Sequence, residues 1–201
     1  MIKNIIFDLG NVFIEWDPRK AFRGLIAPEN MERFMREVWR DEWNDNLDRG
    51  ITLADNTRSL CEKYPAHAVY ITCYHEHWRE TLGAVNAGSV ALLADLKRAG
   101  LRAYALSNWS AETFPSVRAE HSFFDLFDDI VISGDVGLCK PGAEIYQLLL
   151  KRHGLLPGEC AFIDDRPDNV AAAARLGIAG IQFQTATQVR EELEARGVLK
   201  D

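Results

Sequence analysis

Features that would place the chain in a specialised structural class are missing from its sequence. The four cysteines (Cys61, Cys73, Cys139 and Cys160) form no CxxC pair and have no histidine at zinc-finger spacing, so we expect free thiols in a reducing compartment. No apolar run approaches the ~18 residues that a membrane-spanning helix needs. Residues 1–12 contain Asp8 and are followed by no small-residue cleavage site, so we expect no secretory leader.

Positive charge is also in short supply. The 23 Lys and Arg residues are outnumbered by 30 Asp and Glu residues, which gives a net charge of −7, whereas nucleic-acid-binding proteins usually carry a basic patch. This balance does not exclude a small anionic substrate, because such a molecule responds to the local field of its pocket. We therefore expect a soluble cytoplasmic protein with neither nucleic-acid nor membrane partners, and the sequence leaves its oligomeric state open.

Strand and helix patterns alternate along most of the chain. Residues 3–7 form a β-branched and aromatic run that predicts a buried strand, which Gly10 and Asn11 then break. Beyond Gly88, strands are predicted at 101–106, 129–132, 160–163 and 180–183. Helices are predicted between and after them at 90–99, 111–120, 143–153, 168–176 and 187–196.

One long segment breaks this alternation. From residue 17 to residue 83, apolar residues recur at helical spacing, which predicts four or five helices and no strand. We therefore predict an α/β fold, a Rossmann-like doubly wound parallel sheet formed by residues 1–15 and 84–201, with an inserted helical cap at 16–83.

Polar side chains end three of the predicted strands. Asp8 ends the first strand, Ser107 ends the next, and Asp164 and Asp165 end a third. Ligands of such sheets bind at the carboxyl ends of the strands, where clustered carboxylates need a cation and suit Mg²⁺. Lys140 would supply positive charge, and Ser107 would donate hydrogen bonds to phosphoryl oxygens. This set of groups fits phosphoryl transfer to a carboxylate.

Four ordered segments carry a family resemblance. Residues 7–12 (FDLGNV), 106–108 (LSN), 140–141 (KP) and 162–165 (FIDD) resemble the four motifs of the haloacid dehalogenase superfamily. The helical segment falls where that family inserts its C1-type cap, so the resemblance covers essentially the whole chain. The first motif is similar to that of bacterial sugar-phosphate phosphatases.

The resemblance implies a magnesium-dependent phosphatase that acts on a small phosphorylated metabolite, a sugar phosphate in the first instance, through an aspartyl-phosphate on Asp8. Ser107 and Asn108 would bind the phosphoryl group, and Lys140 would stabilise both the nucleophile and the phosphate. The implied metal ligands are Asp8, the backbone carbonyl of Gly10, Asp165 and, with it, Asp164.

Gly10 departs from the family pattern. Family phosphatases usually carry there a second Asp that protonates the leaving group and then activates water, a contribution worth ~10²–10⁴-fold. Asp17, where the chain enters the predicted cap, is a candidate replacement. Its other interpretation, which we favour, is an N-cap for the first cap helix, because Pro18 follows it.

Two alternative functions remain. A 2-haloacid dehalogenase would use Asp8 to displace halide and needs no metal, but typically has Ser and Asn where this chain has Asp164 and Asp165. A non-catalytic phosphate-binding protein would have little reason to keep Asp8, Lys140 and Asp165 together.

Several further side chains are assigned structural roles. The cap aromatics are expected to pack rather than to line a pocket; they are Trp16, Trp39, Trp43, Tyr74 and Trp78. Asp168 is predicted to be the N-cap of the helix that follows Asp165.

Overall fold

A five-stranded parallel sheet forms the centre of the computed structural model, which describes residues 1–39 and 42–199. In chain order the strands are β1 (Asn4–Phe7), β2 (Ile14–Trp16), β3 (Leu82–Val85), β4 (Arg102–Ser107), β5 (Asp129–Ile132), β6 (Cys160–Asp164) and β7 (Ala179–Gln182). The sheet has the order β5-β4-β1-β6-β7, with every neighbouring pair parallel. β1 is central, so the carboxyl end of β1 lies where the strand order reverses direction.

The helices divide between the sheet and a separate unit. They are α1 (Pro28–Glu37), α2 (Glu42–Asp48), α3 (Leu53–Lys63), α4 (Ala68–His77), α5 (Ala87–Arg98), α6 (Phe114–Glu120), α7 (Ser133–Val136), α8 (Ala143–His153), α9 (Pro167–Arg175) and α10 (Ala186–Ala195). We call α1–α4 the helical insert, since these helices lie between β2 and β3. No helix in residues 1–39 or 42–199 has the length and apolar character needed to cross a membrane.

Helices cover both faces of the sheet. On one face, Leu93 of α5 and Val189 of α10 are fully buried in a cluster that includes Phe7. On the other face, Ile145 of α8 and Ala173 of α9 are buried in a second cluster. Because both faces are covered, the strands are nearly continuous apolar runs, as is usual for parallel sheets. The predicted Rossmann-like doubly wound sheet is therefore confirmed.

The helical insert has a hydrophobic core of its own. Phe34 of α1, Trp43 of α2, Leu60 of α3 and Ile71 of α4 are buried together in a third cluster. Their aromatic members meet edge to face, with ring centroids 5.8 Å apart for Phe34 and Trp43. The insert therefore buries apolar surface without relying on the sheet.

A short antiparallel ribbon joins the insert to the sheet. Ile14 of β2 pairs with Val85 of β3, and Trp16 pairs with Leu82. The prediction that residues 17–83 contain no strand is therefore wrong at its end, where β3 begins. Strands of three and four residues are too short to show alternation, and their pairing joins segments far apart in sequence, which periodicity does not detect.

The start of α9 also differs from its prediction. The helix begins at Pro167 with Arg166 at the N-cap position, so Asp168 lies inside the first turn and is not the N-cap. Proline is favoured at the first helical position because its missing N–H would have no partner there. The Asp168 carboxylate instead pairs with Arg166 at 2.8 Å, and its charge suits the positive end of the helix dipole.

Candidate active site

Asp8 lies at the carboxyl end of β1, where a tight turn exposes one edge of a buried carboxylate. The turn is possible because Asn11 adopts a left-handed φ of 56°. Asp8 Oδ1 accepts hydrogen bonds from the Leu9 N–H at 2.7 Å and from Ser107 Oγ at 2.8 Å. Burial raises the pKa of Asp8 to about 6, although the Lys140 ammonium lowers it and keeps the ionised form accessible.

Lys140 brings a buried positive charge to Asp8. Its Nζ lies 2.9 Å from Asp8 Oδ1 and 2.7 Å from Asp164 Oδ2, and its side chain is almost fully buried. Burial lowers the pKa of Lys140, but the Asp8 and Asp164 carboxylates outweigh burial and hold that pKa above its ordinary value. The ammonium therefore stays charged between two acidic groups.

The main chain at Lys140 is positioned by Asn108. The Asn108 side chain accepts a hydrogen bond from the Lys140 N–H at 2.9 Å and donates one to the Lys140 carbonyl at 3.0 Å. The oxygen and one of the two Nδ2 hydrogens of this amide are thereby used, and the backbone N–H of Asn108 is a further donor. Ser107 and Asn108 come together with Asp8 as expected, but the Asn108 side chain contacts the lysine.

The two carboxylates after β6 have different surroundings. Asp164 is fully buried, and it accepts hydrogen bonds from the Lys140 ammonium, from the Arg166 N–H and from Asn169 Nδ2. Asp165 is only partly buried and has one long contact, 3.5 Å from Asn11 Nδ2. Burial, followed by the charge of Asp164, raises the pKa of Asp165. Asp165 therefore keeps oxygen atoms that are free to bind a ligand.

The arrangement fits a divalent metal ion. One carboxylate oxygen from each of Asp8, Asp164 and Asp165 lies within 4.8 Å of the others. The buried Oδ1 of Asn169, beside Asp164, has no hydrogen-bond partner among the residues that the structure describes. Carboxylate and amide oxygens are the ligands that hard divalent cations such as Mg²⁺ prefer. Because the oxygens of Asp164 are already hydrogen-bonded, Asp8 and Asp165 are the better placed carboxylates.

The site opens into a cavity of about 920 Å³ between the sheet and the helical insert. From the sheet side it is lined by Asp8, Gly10, Ser107, Asn108, Lys140 and Asp165, and from the insert and ribbon by Trp16, Trp39, Asp45, Leu47, Asp48, Tyr74 and Trp78. A volume of this size accommodates a small organic molecule.

The aromatic residues of the insert are divided between packing and lining. Trp43 is fully buried, as expected. Trp39 stacks on Trp43 with centroids 4.8 Å apart, yet it also lines the cavity together with Trp16, Tyr74 and Trp78. The expectation that these four residues only pack is therefore wrong. Helical spacing identifies the apolar positions of a helix, but not which of them lie at the edge of a docking surface.

Asp17 is held away from this cavity. It is the N-cap of a 3-10 helix at Pro18–Phe22, where its carboxylate accepts a hydrogen bond from the Arg19 N–H at 3.0 Å. It does not line the cavity. The favoured interpretation of Asp17 as a cap is confirmed.

Asp48 is a cavity residue that the sequence analysis missed. It is the last residue of α2, it is partly buried, and its carboxylate accepts no hydrogen bond from any described residue. Burial, followed by the charge of nearby Asp45, raises the pKa of Asp48 to about 7. No sequence signal identifies it, since its position depends on how α2 packs against the sheet domain.

Comparisons with known proteins agree with this geometry. A family model described as haloacid dehalogenase-like hydrolase matches residues 2–177. A sesquiterpene phosphatase of Aspergillus oryzae is 30% identical, with the alignment covering 95% of this chain and 94% of that protein. A D-ribitol-5-phosphate phosphatase of Bacteroides thetaiotaomicron is 25% identical over 96% of this chain and 97% of its own length.

A solved structure extends the comparison to the fold. It is an enzyme of the HAD family from Bacteroides thetaiotaomicron in complex with magnesium and inorganic phosphate. It superposes with a TM-score of 0.72 at 25% sequence identity, covering 92% of this chain and 96% of that one.

Proposed function

The chain belongs to the haloacid dehalogenase-like hydrolases, and from this membership we propose that it is a magnesium-dependent phosphomonoester phosphatase that works through an aspartyl-phosphate on Asp8. The observation that best supports the proposal is the setting of Asp8. Its carboxylate lies at the floor of the cavity, contacts Ser107 and Lys140, and lies next to the uncommitted oxygens of Asp165.

Each residue contributes a definite step. Asp8, ionised by contact with Lys140, attacks phosphorus, and the bond to the leaving alkoxide breaks. Ser107 Oγ and the Asn108 N–H donate hydrogen bonds to the phosphoryl oxygens as negative charge develops on them. Water then attacks the acyl phosphate and regenerates the Asp8 carboxylate. A Mg²⁺ ion held by Asp8, Asp165 and the Gly10 carbonyl would neutralise charge on the phosphoryl group and the carboxylates.

The site argues against the dehalogenase alternative. A haloacid carboxylate bound beside Asp8 would lie close to Asp165, whose charge the Lys140 ammonium offsets only in part because that ammonium pairs with Asp8 and Asp164. Without a metal ion the two carboxylates would repel each other. A purely phosphate-binding role also leaves the contact between Lys140 and the buried nucleophile without a purpose.

The lining of the cavity bears on the substrate. We propose a small phosphorylated metabolite whose body contacts Trp16, Trp39, Tyr74 and Trp78. A sugar phosphate, the class on which the Bacteroides relative acts by its name, offers C–H faces to such rings. A second candidate, a phosphate with an apolar chain, is favoured by the same aromatic wall and by the name of the Aspergillus relative.

Phosphate release from a substrate panel tests the function. The panel contains 4-nitrophenyl phosphate, several sugar phosphates including ribitol 5-phosphate, and a prenyl monophosphate, each assayed with Mg²⁺ and with EDTA. We expect release that requires Mg²⁺ and falls at least ~10³-fold in Asp8→Asn. Release that continues in EDTA or in Asp8→Asn would contradict the proposal. The preferred member of the panel identifies the substrate class.

A further inference from the structure

Gly10 leaves the proposed reaction without a group to protonate its leaving oxygen. An added Cβ at Gly10 would meet no atom of residues 1–39 and 42–199 within 4 Å, so the space beside the nucleophile where family phosphatases place an acid is open. An alkoxide is a poor leaving group, so hydrolysis of alkyl phosphates needs a proton donor at this place. The donor must come from another element that faces the cavity.

Three carboxyl groups among the described residues line the cavity outside the metal-binding cluster: Asp45, Asp48 and Glu144. Asp45 and Glu144 are exposed to solvent, whereas Asp48 is partly buried. Asp17 is excluded because it lies outside the cavity and already accepts a hydrogen bond. Asp48 is therefore the one with both access to the cavity and shelter from bulk water.

We propose that Asp48 is the general acid and base of this enzyme, supplied by the helical insert in place of the residue that Gly10 lacks. The inference rests on the proposed phosphatase function. Its protons balance over one turnover. The Asp48 carboxylic acid gives its proton to the departing oxygen, which leaves as the alcohol. The resulting carboxylate takes a proton from the water that attacks the Asp8 acyl phosphate, and phosphate is released.

Contacts with the sheet domain hold Asp48 near the nucleophile. Cys139 Sγ donates to the Asp48 carbonyl oxygen at 3.4 Å, and Cys139 directly precedes Lys140. A Cβ added at Gly50 would lie 2.7 Å from the Gly134 carbonyl oxygen, so the chain after α2 lies directly against α7. The Leu53 N–H donates to Glu112 Oε2 at 2.7 Å. These three contacts position the end of α2 over the site.

The electrostatic surroundings of Asp48 raise its pKa toward neutrality. Burial is the largest cause of its raised pKa, Asp45 and Asp8 add to the increase, and Lys140 and Arg166 oppose it. The titratable and charged groups that face it are Asp45 on α2 and Arg49 directly after it, Tyr74 on α4, Asp8 after β1, Cys139 and Lys140 before α8, and Arg166 before α9. A pKa of about 7 suits a group that must donate a proton and then accept one.

The test compares two leaving groups in Asp48→Asn, which keeps the size of the side chain. With an alkyl phosphate from the active panel, we expect kcat/KM to fall ~10²–10⁴-fold, and its decline above pH 7 to disappear. With 4-nitrophenyl phosphate, whose leaving group needs no proton, kcat/KM should fall less than ~10-fold. Its kcat should fall further, with a burst of nitrophenolate, because the acyl phosphate now lacks its base.

Two further variants complete the design. Asp17→Asn keeps the capping group and should leave both substrates unaffected. Gly10→Asp, introduced into Asp48→Asn, should restore alkyl phosphate turnover, since the position has room for a side chain. A thermal midpoint no lower than that of the wild type shows that Asp48→Asn is folded.

Some results would overturn the inference. One is an equal loss of kcat/KM on both substrates, and another is an alkaline decline that persists in Asp48→Asn. A third result concerns the double variant. If Gly10→Asp alone hydrolyses the alkyl phosphate as fast as the wild type but does not restore this activity to Asp48→Asn, the inference is wrong. A failure of the proposed phosphatase function would look different from a failure of this inference. In that case the wild type itself would release no phosphate in a reaction that needs both Mg²⁺ and Asp8.

Discussion

The sheet side and the insert side of the cavity are built in opposite ways. On the sheet side, the polar side chains contact one another: Ser107 and Lys140 both contact Asp8, and Asn108 holds the main chain of Lys140. On the insert side, the Asp48 carboxylate accepts no hydrogen bond from the described residues, and Trp39 lines the cavity. The sheet side is preorganised, whereas the insert side has its polar and aromatic groups available for a ligand.

From this difference we expect the sheet side and the insert side to contact different parts of the substrate. A phosphoryl group is the same in every substrate, so its binding site is served by fixed donors and charges. The leaving group differs between substrates, and the insert contacts that part. Substitutions on the sheet side should therefore damage all reactions alike, whereas those on the insert side should act according to the substrate.

The largest expected effect comes from removing the cation on the sheet side. Lys140→Met keeps the length of the side chain but leaves Asp8 and Asp164 buried together without their partner. We expect the free energy of unfolding to fall by about 3–5 kcal/mol, and turnover to fall at least ~10³-fold. Urea denaturation and phosphate release measure the two effects.

A matched control is available at the surface. Lys97 pairs with Asp128 at 2.6 Å, with both side chains partly exposed, and Lys97→Met should cost no more than about 1 kcal/mol. If both lysine variants lost the same stability, the sheet side would not be the charge-coupled network described above.

The second prediction is that replacing Asp48 and replacing Asp164 change the free energy of unfolding in opposite directions. The raised pKa of Asp48 means that folding costs free energy once the unfolded chain has ionised, so the cost grows from about pH 4 to about pH 7 and then stays constant. Asp48→Asn should therefore raise the free energy of unfolding at pH 8 by about 1–2 kcal/mol, with little gain near pH 4. Thermal denaturation at both pH values measures this.

Asp164→Asn should do the reverse. It removes the charge that pairs with the buried Lys140 at 2.7 Å, and the free energy of unfolding should fall by about 2–4 kcal/mol at pH 8. A loss of stability in both variants would mean that the Asp48 carboxylate is stabilised by its surroundings as well as that of Asp164. The sheet side and the insert side would then not differ in this respect.

The strands of the sheet side could be predicted from the sequence to within one residue at either end. The strand at Asp129–Ile132 was predicted to the residue, and β4 differs from its prediction by one residue at each end. Buried parallel strands are short apolar runs with turn residues on both sides, so local pattern identifies them. Asp8 and Ser107 could then be brought together, because the carboxyl ends of parallel strands share one edge.

The insert side could be predicted only as helices. Asp48 lines the cavity because α2 docks against α7 and the loop before Lys140, and no local pattern encodes that docking. The β2–β3 ribbon was missed for a similar reason, since it depends on pairing between Ile14 and Val85. Position on a helix is a local property, whereas facing a particular neighbour is not.

The third prediction tests whether the aromatic wall contacts the substrate. Trp39→Leu removes a ring that lines the cavity. We expect KM for the preferred substrate to rise ~10-fold while kcat stays within ~2-fold of the wild-type value. The reason is that an aromatic contact with the substrate is made equally in the ground state and the transition state. Trp43→Phe is the control, since Trp43 is buried in the insert and should lower stability without changing KM. A large fall in kcat in Trp39→Leu would give this residue a role in the reaction itself.

The smallest expected effect concerns the contact that attaches the insert to the sheet domain. Glu112→Gln keeps an oxygen acceptor for the Leu53 N–H but removes its charge, which weakens the hydrogen bond by about 0.5–1 kcal/mol. We expect faster hydrogen exchange at the Leu53 amide, and a rise in KM of less than ~3-fold. The Asp55 N–H, which is bonded within the insert to Thr52 Oγ at 3.1 Å, is the internal reference. Equally faster exchange at both amides would show that the substitution loosens the insert as a whole. The core of the insert would then not be independent of the contact that attaches it to the sheet domain.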